Sequence, residues 1–141
     1  MRKLIVIFLA AVAVISVSGL AFAADTKAQN KVVAYYLHGN FRCVNCINFE
    51  KYSKEAIETN FRDAIASGKL GFQVVNIEDR GNEHYIADYQ LYTKSLILSL
   101  VKDGKEVRYK NLEKIWQLAR DKEKFIEYVT GEIKGFLQEV Q

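Results

Sequence analysis

Two cysteines, Cys43 and Cys46, stand in the stretch HGNFRCVNC and are the only ones in the 141-residue chain. A Cys-x-x-Cys pair supports three chemistries: two-electron thiol–disulfide exchange, ligation of a soft metal or metalloid, or closure of a small structural staple. Exchange requires asymmetry, with one accessible sulfur of lowered pKa to attack and a second, more buried sulfur to resolve the mixed disulfide. The start of a helix supplies that asymmetry, because its first turn carries unpaired N–H groups and the positive end of the macrodipole. Cys43 is then expected to be the exposed nucleophile and Cys46, three residues on along one helix face, the buried resolving thiol. Two thiolates also suit Cu(I) or trivalent arsenic, so capture of a soft metal or metalloid stands as the alternative. Structural zinc would need four ligands from Cys43, Cys46, His38 and His84, without the usual paired-histidine spacing, so no metal site of that type is expected. A staple closed over so few residues would constrain the unfolded chain little. Near the pair, Arg42 and His38 are candidate modulators of the thiolate.

The elements that must position this pair follow from the apolar pattern. KVVAYYLH (Lys31 to His38) predicts a buried strand, broken by Gly39-Asn40 just before the cysteines. From Val44 to about Ser67 the period is helical, with Ile57, Phe61 and Ile65 at spacing four and Gly68 as the stop. Gly71 to Asp79 predicts a second strand, Asn82 to Leu91 a short helix, and Ser95 to Val101 a third strand. Asp103-Gly104 predicts a hairpin into a fourth strand, Glu106 to Tyr109. Short helical structure follows around Leu112 to Ala119, with Trp116 expected in the core. A longer helix then opens at Asp121, with Phe125, Val129, Ile133, Phe136 and Val140 on one stripe. The fold class is therefore α/β, in the order β-α-β-α-β-β-α, with a central mixed sheet and flanking helices.

Composition narrows the setting. Met1-Arg2-Lys3, the apolar run Leu4 to Ile15 and the small-x-small site Ala21-Phe22-Ala23 predict a signal peptide over residues 1–23, leaving a domain over 24–141. An uncleaved anchor helix is the alternative, but Ser16, Ser18 and Gly19 interrupt the apolar run. The domain is then expected to be periplasmic or otherwise extracytoplasmic, with no stable membrane span after cleavage, where a disulfide is chemically permitted. Of 20 basic residues, Arg2 and Lys3 leave with the signal, so 18 face 17 acidic ones. No basic stripe interleaves with aromatics, and no nucleic-acid partner is expected.

With strand, Cys-x-x-Cys, strand and the hairpin KDGKEV in sequence, the chain resembles the thioredoxin superfamily. More narrowly, YYLHGNFRCVNC, DYQLYTKSLILSL and NLEKIW are similar to the small exported thioredoxin-like proteins of arsenic-resistance gene clusters, the nitrophenyl compound nitroreductase subunit family. The resemblance implies a thioredoxin-like fold, Cys43 and Cys46 in the nucleophilic and resolving positions, and a protein thiol or disulfide as partner. It also implies that Thr93, Lys94 and Ser95 form a substrate-binding loop facing the cysteines. Nitro reduction itself is not implied, because no flavin or dinucleotide fingerprint is present and no cofactor is expected. Arg42 stands where the superfamily has tryptophan, Val44-Asn45 where it has Gly-Pro, and Leu37 where it buries an acid. Ser95 takes the place of its cis-proline, in a chain with no proline at all. A cis bond at Lys94-Ser95 would cost roughly 2.5–4 kcal/mol, so trans is expected.

Overall fold

A computed structural model describes residues 29–140; the signal segment read over residues 1–23 lies outside the described residues. Strand β1 (Lys31–His38) is central. It pairs in parallel with β2 (Leu70–Asn76) and antiparallel with β3 (Ser95–Lys102), and β3 pairs antiparallel with β4 (Lys105–Asn111). The strand order is β2-β1-β3-β4, the mixed four-stranded sheet expected of a thioredoxin-like fold.

Two helices, α1 (Val44–Asn60) and α4 (Lys122–Gln138), cover one face of the sheet. Strand alternation sends Val32, Ala34 and Tyr36 of β1 and Leu96, Leu98 and Leu100 of β3 to that face. There they meet Phe49 and Ile57 of α1 and the Phe125–Val129–Ile133–Phe136 stripe of α4. Burial of each Val, Leu, Ile or Phe in this layer contributes about 1.5–3 kcal/mol, so the layer fixes α1 on the sheet. Leu37 and Ile97 point to the opposite face, where Tyr85, Tyr89 and Leu91 around the short helix α3 (His84–Asp88) cover them. Helix α4 opens as expected, with the Asp121 carboxylate accepting the Lys124 N–H at 3.1 Å. The hairpin is also as expected: Asp103 and Gly104 both have positive φ, at 50° and 77°.

Four elements depart from the sequence expectation. The single helix over Val44 to Ser67 is two, because Phe61 leaves helical geometry at φ −131°, ψ 33° and α2 (Arg62–Ala66) follows. Phe61 turns into the core, while Ile65, assigned to the same stripe, is left exposed. The second strand stops at Asn76, whose side chain instead accepts from Glu78 N–H and donates to Asp79, folding Ile77–Asp79 into a turn. The helix expected over Asn82 to Leu91 shrinks to α3. Trp116, expected in the core, is 38% exposed at the end of a 3-10 turn over Glu113–Trp116. Among the described residues no helix is long and apolar enough to cross a membrane.

Candidate active site

Strand β1 ends at His38 and α1 begins at Val44, so five residues carry the chain from sheet to helix. At Gly39 the exposed Glu78 carboxylate lies close over the backbone, where it accepts the Asn40 N–H at 3.1 Å. Cys43 is the N-cap of α1, in extended geometry, and its Sγ accepts the Cys46 N–H at 3.2 Å. The sulfur therefore occupies the place where a capping oxygen satisfies the first helical turn. Cys43 and Cys46 are joined as a disulfide, with Cα atoms 5.0 Å apart. Cys43 is half-buried, whereas Cys46 is 0% exposed, the order that exchange demands.

Behind the disulfide, the Tyr36 hydroxyl donates to the Cys46 carbonyl at 2.6 Å, tying the first turn of α1 to the middle of the sheet. Burial pushes the Tyr36 phenol well above its ordinary value; Arg42 nearby lowers it and Glu50 raises it, and burial prevails. The phenol thus stays a donor throughout the neutral range. An unfolded tyrosine ionises near about pH 10, so this tie supports folding below that pH and weakens as pH rises through the higher folded value.

Beside the pair runs a polar chain. Arg42 Nη2 donates to Glu50 Oε2 in an ion pair, and Arg42 Nη1 donates to His38 Nε2 at 3.2 Å. His38 Nδ1 lies 2.9 Å from the Gly39 carbonyl, which can only accept, so the partners select the Nδ1–H tautomer. Of the modulators read from sequence, Arg42 and His38 are thus in contact with each other. Tyr36 and Glu50 were not anticipated. The usable signals were the alternation that puts Tyr36 on the α1 face and the i, i+4 spacing of Cys46 and Glu50.

Ser95 sits opposite Leu37 in the β1–β3 register, one residue short of the end of β1. Its hydroxyl is buried and donates to the Thr93 carbonyl at 3.1 Å. Among the described residues no peptide bond is cis, Lys94-Ser95 included. The Thr93–Ser95 loop is linked to Phe41 and to α1. The Lys94 ammonium lies 5.5 Å from the centre of the Phe41 ring. Trp116 donates its indole N–H to the Lys94 carbonyl at 3.1 Å and packs edge-on against Phe49 of α1 at 4.9 Å. Tyr92 and Thr93 line two clefts, one of about 400 Å³ towards Ser95 and Trp116, the other of about 240 Å³ towards His38 and Lys94. Among the described residues no three His, Cys, Asp or Glu side chains gather as a metal site.

A cysteine pair that bonds across the first turn of a helix, at the end of the central strand of a mixed sheet, has the arrangement that thiol–disulfide exchange requires. Among solved structures, the chain is similar to a thioredoxin of Fasciola hepatica, at 15% identity and a TM-score of 0.43, over 80% of this chain and 84% of that one. No family model and no curated protein matches the sequence.

Proposed function

We propose that the protein is an exported thiol–disulfide oxidoreductase in which Cys43 attacks and Cys46 resolves. The observation that carries this reading is the unequal access of the two sulfurs at the helix start, Cys43 half-buried and Cys46 at 0% exposure. In the reducing direction the Cys43 thiolate attacks one sulfur of a partner disulfide. That S–S bond breaks, one partner thiolate leaves and takes up a proton, and a mixed disulfide forms. Cys46 then loses its proton and attacks Cys43 Sγ. The Cys43–Cys46 bond closes, the second partner thiol departs, and two electrons have passed to the partner. The oxidising direction is the same sequence reversed.

A polypeptide partner fits the surroundings. Phe41 is 74% exposed, Val44 75% and Ile47 52%, so apolar side chains flank Cys43 along the chain. Scattered exposed apolar residues are ordinary, but these are grouped around the attacking sulfur. The signal segment over residues 1–23 supports export to an oxidising compartment.

The second reading, a dithiol that holds trivalent arsenic or Cu(I), draws on the two sulfurs being close enough to share one ion and on the narrower sequence likeness to arsenic-cluster proteins. One pair of measurements separates the two. The reduced protein is expected to turn over many equivalents of a protein disulfide when dithiothreitol is supplied. Saturable one-to-one arsenite binding without turnover of any disulfide substrate would overturn the exchange reading in favour of capture.

A further inference from the structure

The thioredoxin-like pattern has Leu37 at the position of a buried acid, yet the structure brings another carboxylate to the site from a different element. Glu50 lies on α1 one turn beyond Cys46, and its Oε2 pairs with Arg42, the residue next to Cys43. A cationic side chain close to a helix-capping sulfur stabilises a thiolate there, and Arg42 is the charged residue next to Cys43 in the chain. Here the guanidinium is engaged by other partners. Its Nη2 is held by Glu50 and its Nη1 by His38, while Nε is buried without a partner among the described residues. Glu50 is seven residues past Cys43 in the chain, and its carboxylate reaches back along the helix to meet the site at Arg42. Its contact with the cysteine segment is therefore made through the Arg42 guanidinium.

We propose that Glu50 is a positioning residue for the dithiol: by holding and neutralising the Arg42 guanidinium, it sets how much positive charge reaches Cys43 Sγ. The other titratable or charged groups around this chain are Tyr36 and His38 on β1, Glu78 at the Asn40 amide, and Lys94 across the Phe41 ring. None of these forms a salt bridge with Arg42 or Glu50. The packing partners of Phe49 on the α4 side, Trp116 and Phe125, are uncharged. The pair is a ratio-setting device: a loosened Arg42 makes the dithiol more acidic and the disulfide a stronger oxidant.

This inference rests on the exchange reading for its purpose, but its test does not. The reduced protein is titrated by the ultraviolet absorbance of the Cys43 thiolate, in wild type, Glu50→Gln, Arg42→Gln and the double variant. An opposite charge brought within a few ångströms lowers a pKa by about 1–3 units, and the freed guanidinium is partly exposed, so the lower end applies. Glu50→Gln is expected to lower the Cys43 titration by about one unit, with the glutathione equilibrium shifted up to about tenfold towards the dithiol. In the Arg42→Gln background the same step is expected to lose most of that effect. An unchanged or raised Cys43 titration in Glu50→Gln overturns the proposal, as does an equal shift with Arg42 absent. A wild-type protein without disulfide turnover would sink the exchange reading and leave the coupling of Glu50 to the Cys43 titration standing.

Discussion

Cys43→Ser is expected to abolish disulfide exchange completely, whereas Cys46→Ser should accumulate as a mixed disulfide with its natural partner. The asymmetry follows from position. Cys43 caps α1 with its sulfur at the helix N-terminus, where a thiolate is stabilised and can be reached. Cys46 is fully buried, and its carbonyl is pinned by Tyr36, so it can meet only a sulfur already bound to Cys43. Non-reducing electrophoresis and mass spectrometry of cell extracts would read the adducts. Adducts formed by Cys43→Ser instead of Cys46→Ser would reverse the roles assigned to the two sulfurs.

The largest expected loss of stability comes from Phe49→Ala, about 3–5 kcal/mol by chemical denaturation. Phe49 has no exposed surface and lies between Trp116, edge-on at 4.9 Å, and Phe125, stacked at 5.7 Å. Its removal leaves a cavity where α1, α4 and the 3-10 turn converge. It also strips Trp116 of a packing partner, and Trp116 holds the Lys94 carbonyl, so the Thr93–Ser95 loop should loosen with it. Trp116 fluorescence would report that second effect. As the contrast, Val44→Ala on the exposed face should stay within about 0.5 kcal/mol of wild type. A cost for Phe49→Ala as small as that of Val44→Ala would show that α1 is not anchored through this ring.

The strands, the hairpin and the cysteine pair were legible because each rests on a local signal. β1 is a run of β-branched and aromatic residues ended by Gly39, and Asp103-Gly104 supplies the two positive φ values its turn requires. The break at Phe61 was not legible, because spacing four is equally compatible with one helix or with two that share a core residue. The site was legible in its sulfurs and only partly in their surroundings. Arg42 and His38 are neighbours of Cys43 in the chain, but Glu50 reaches Arg42 across eight residues and a helix start. The bond from Trp116 to Lys94 spans 22 residues, and it converts a residue expected in the core into a half-exposed clamp. Ser95 lies near the end of β1, yet whether its hydroxyl is offered to a substrate depends on a rotamer, and it turns to Thr93.

The central claim, that Cys43 and Cys46 form a working redox couple, is tested most directly by equilibrating the protein against graded glutathione buffers and counting free thiols. A single reversible two-electron transition, identical from the oxidised and reduced sides, is the expected result. Its midpoint should lie above about −300 mV, the region below which structural disulfides resist the glutathione pool. A bond that stays closed throughout that range, or opens only when the protein is unfolded, would contradict the account and make the pair a staple.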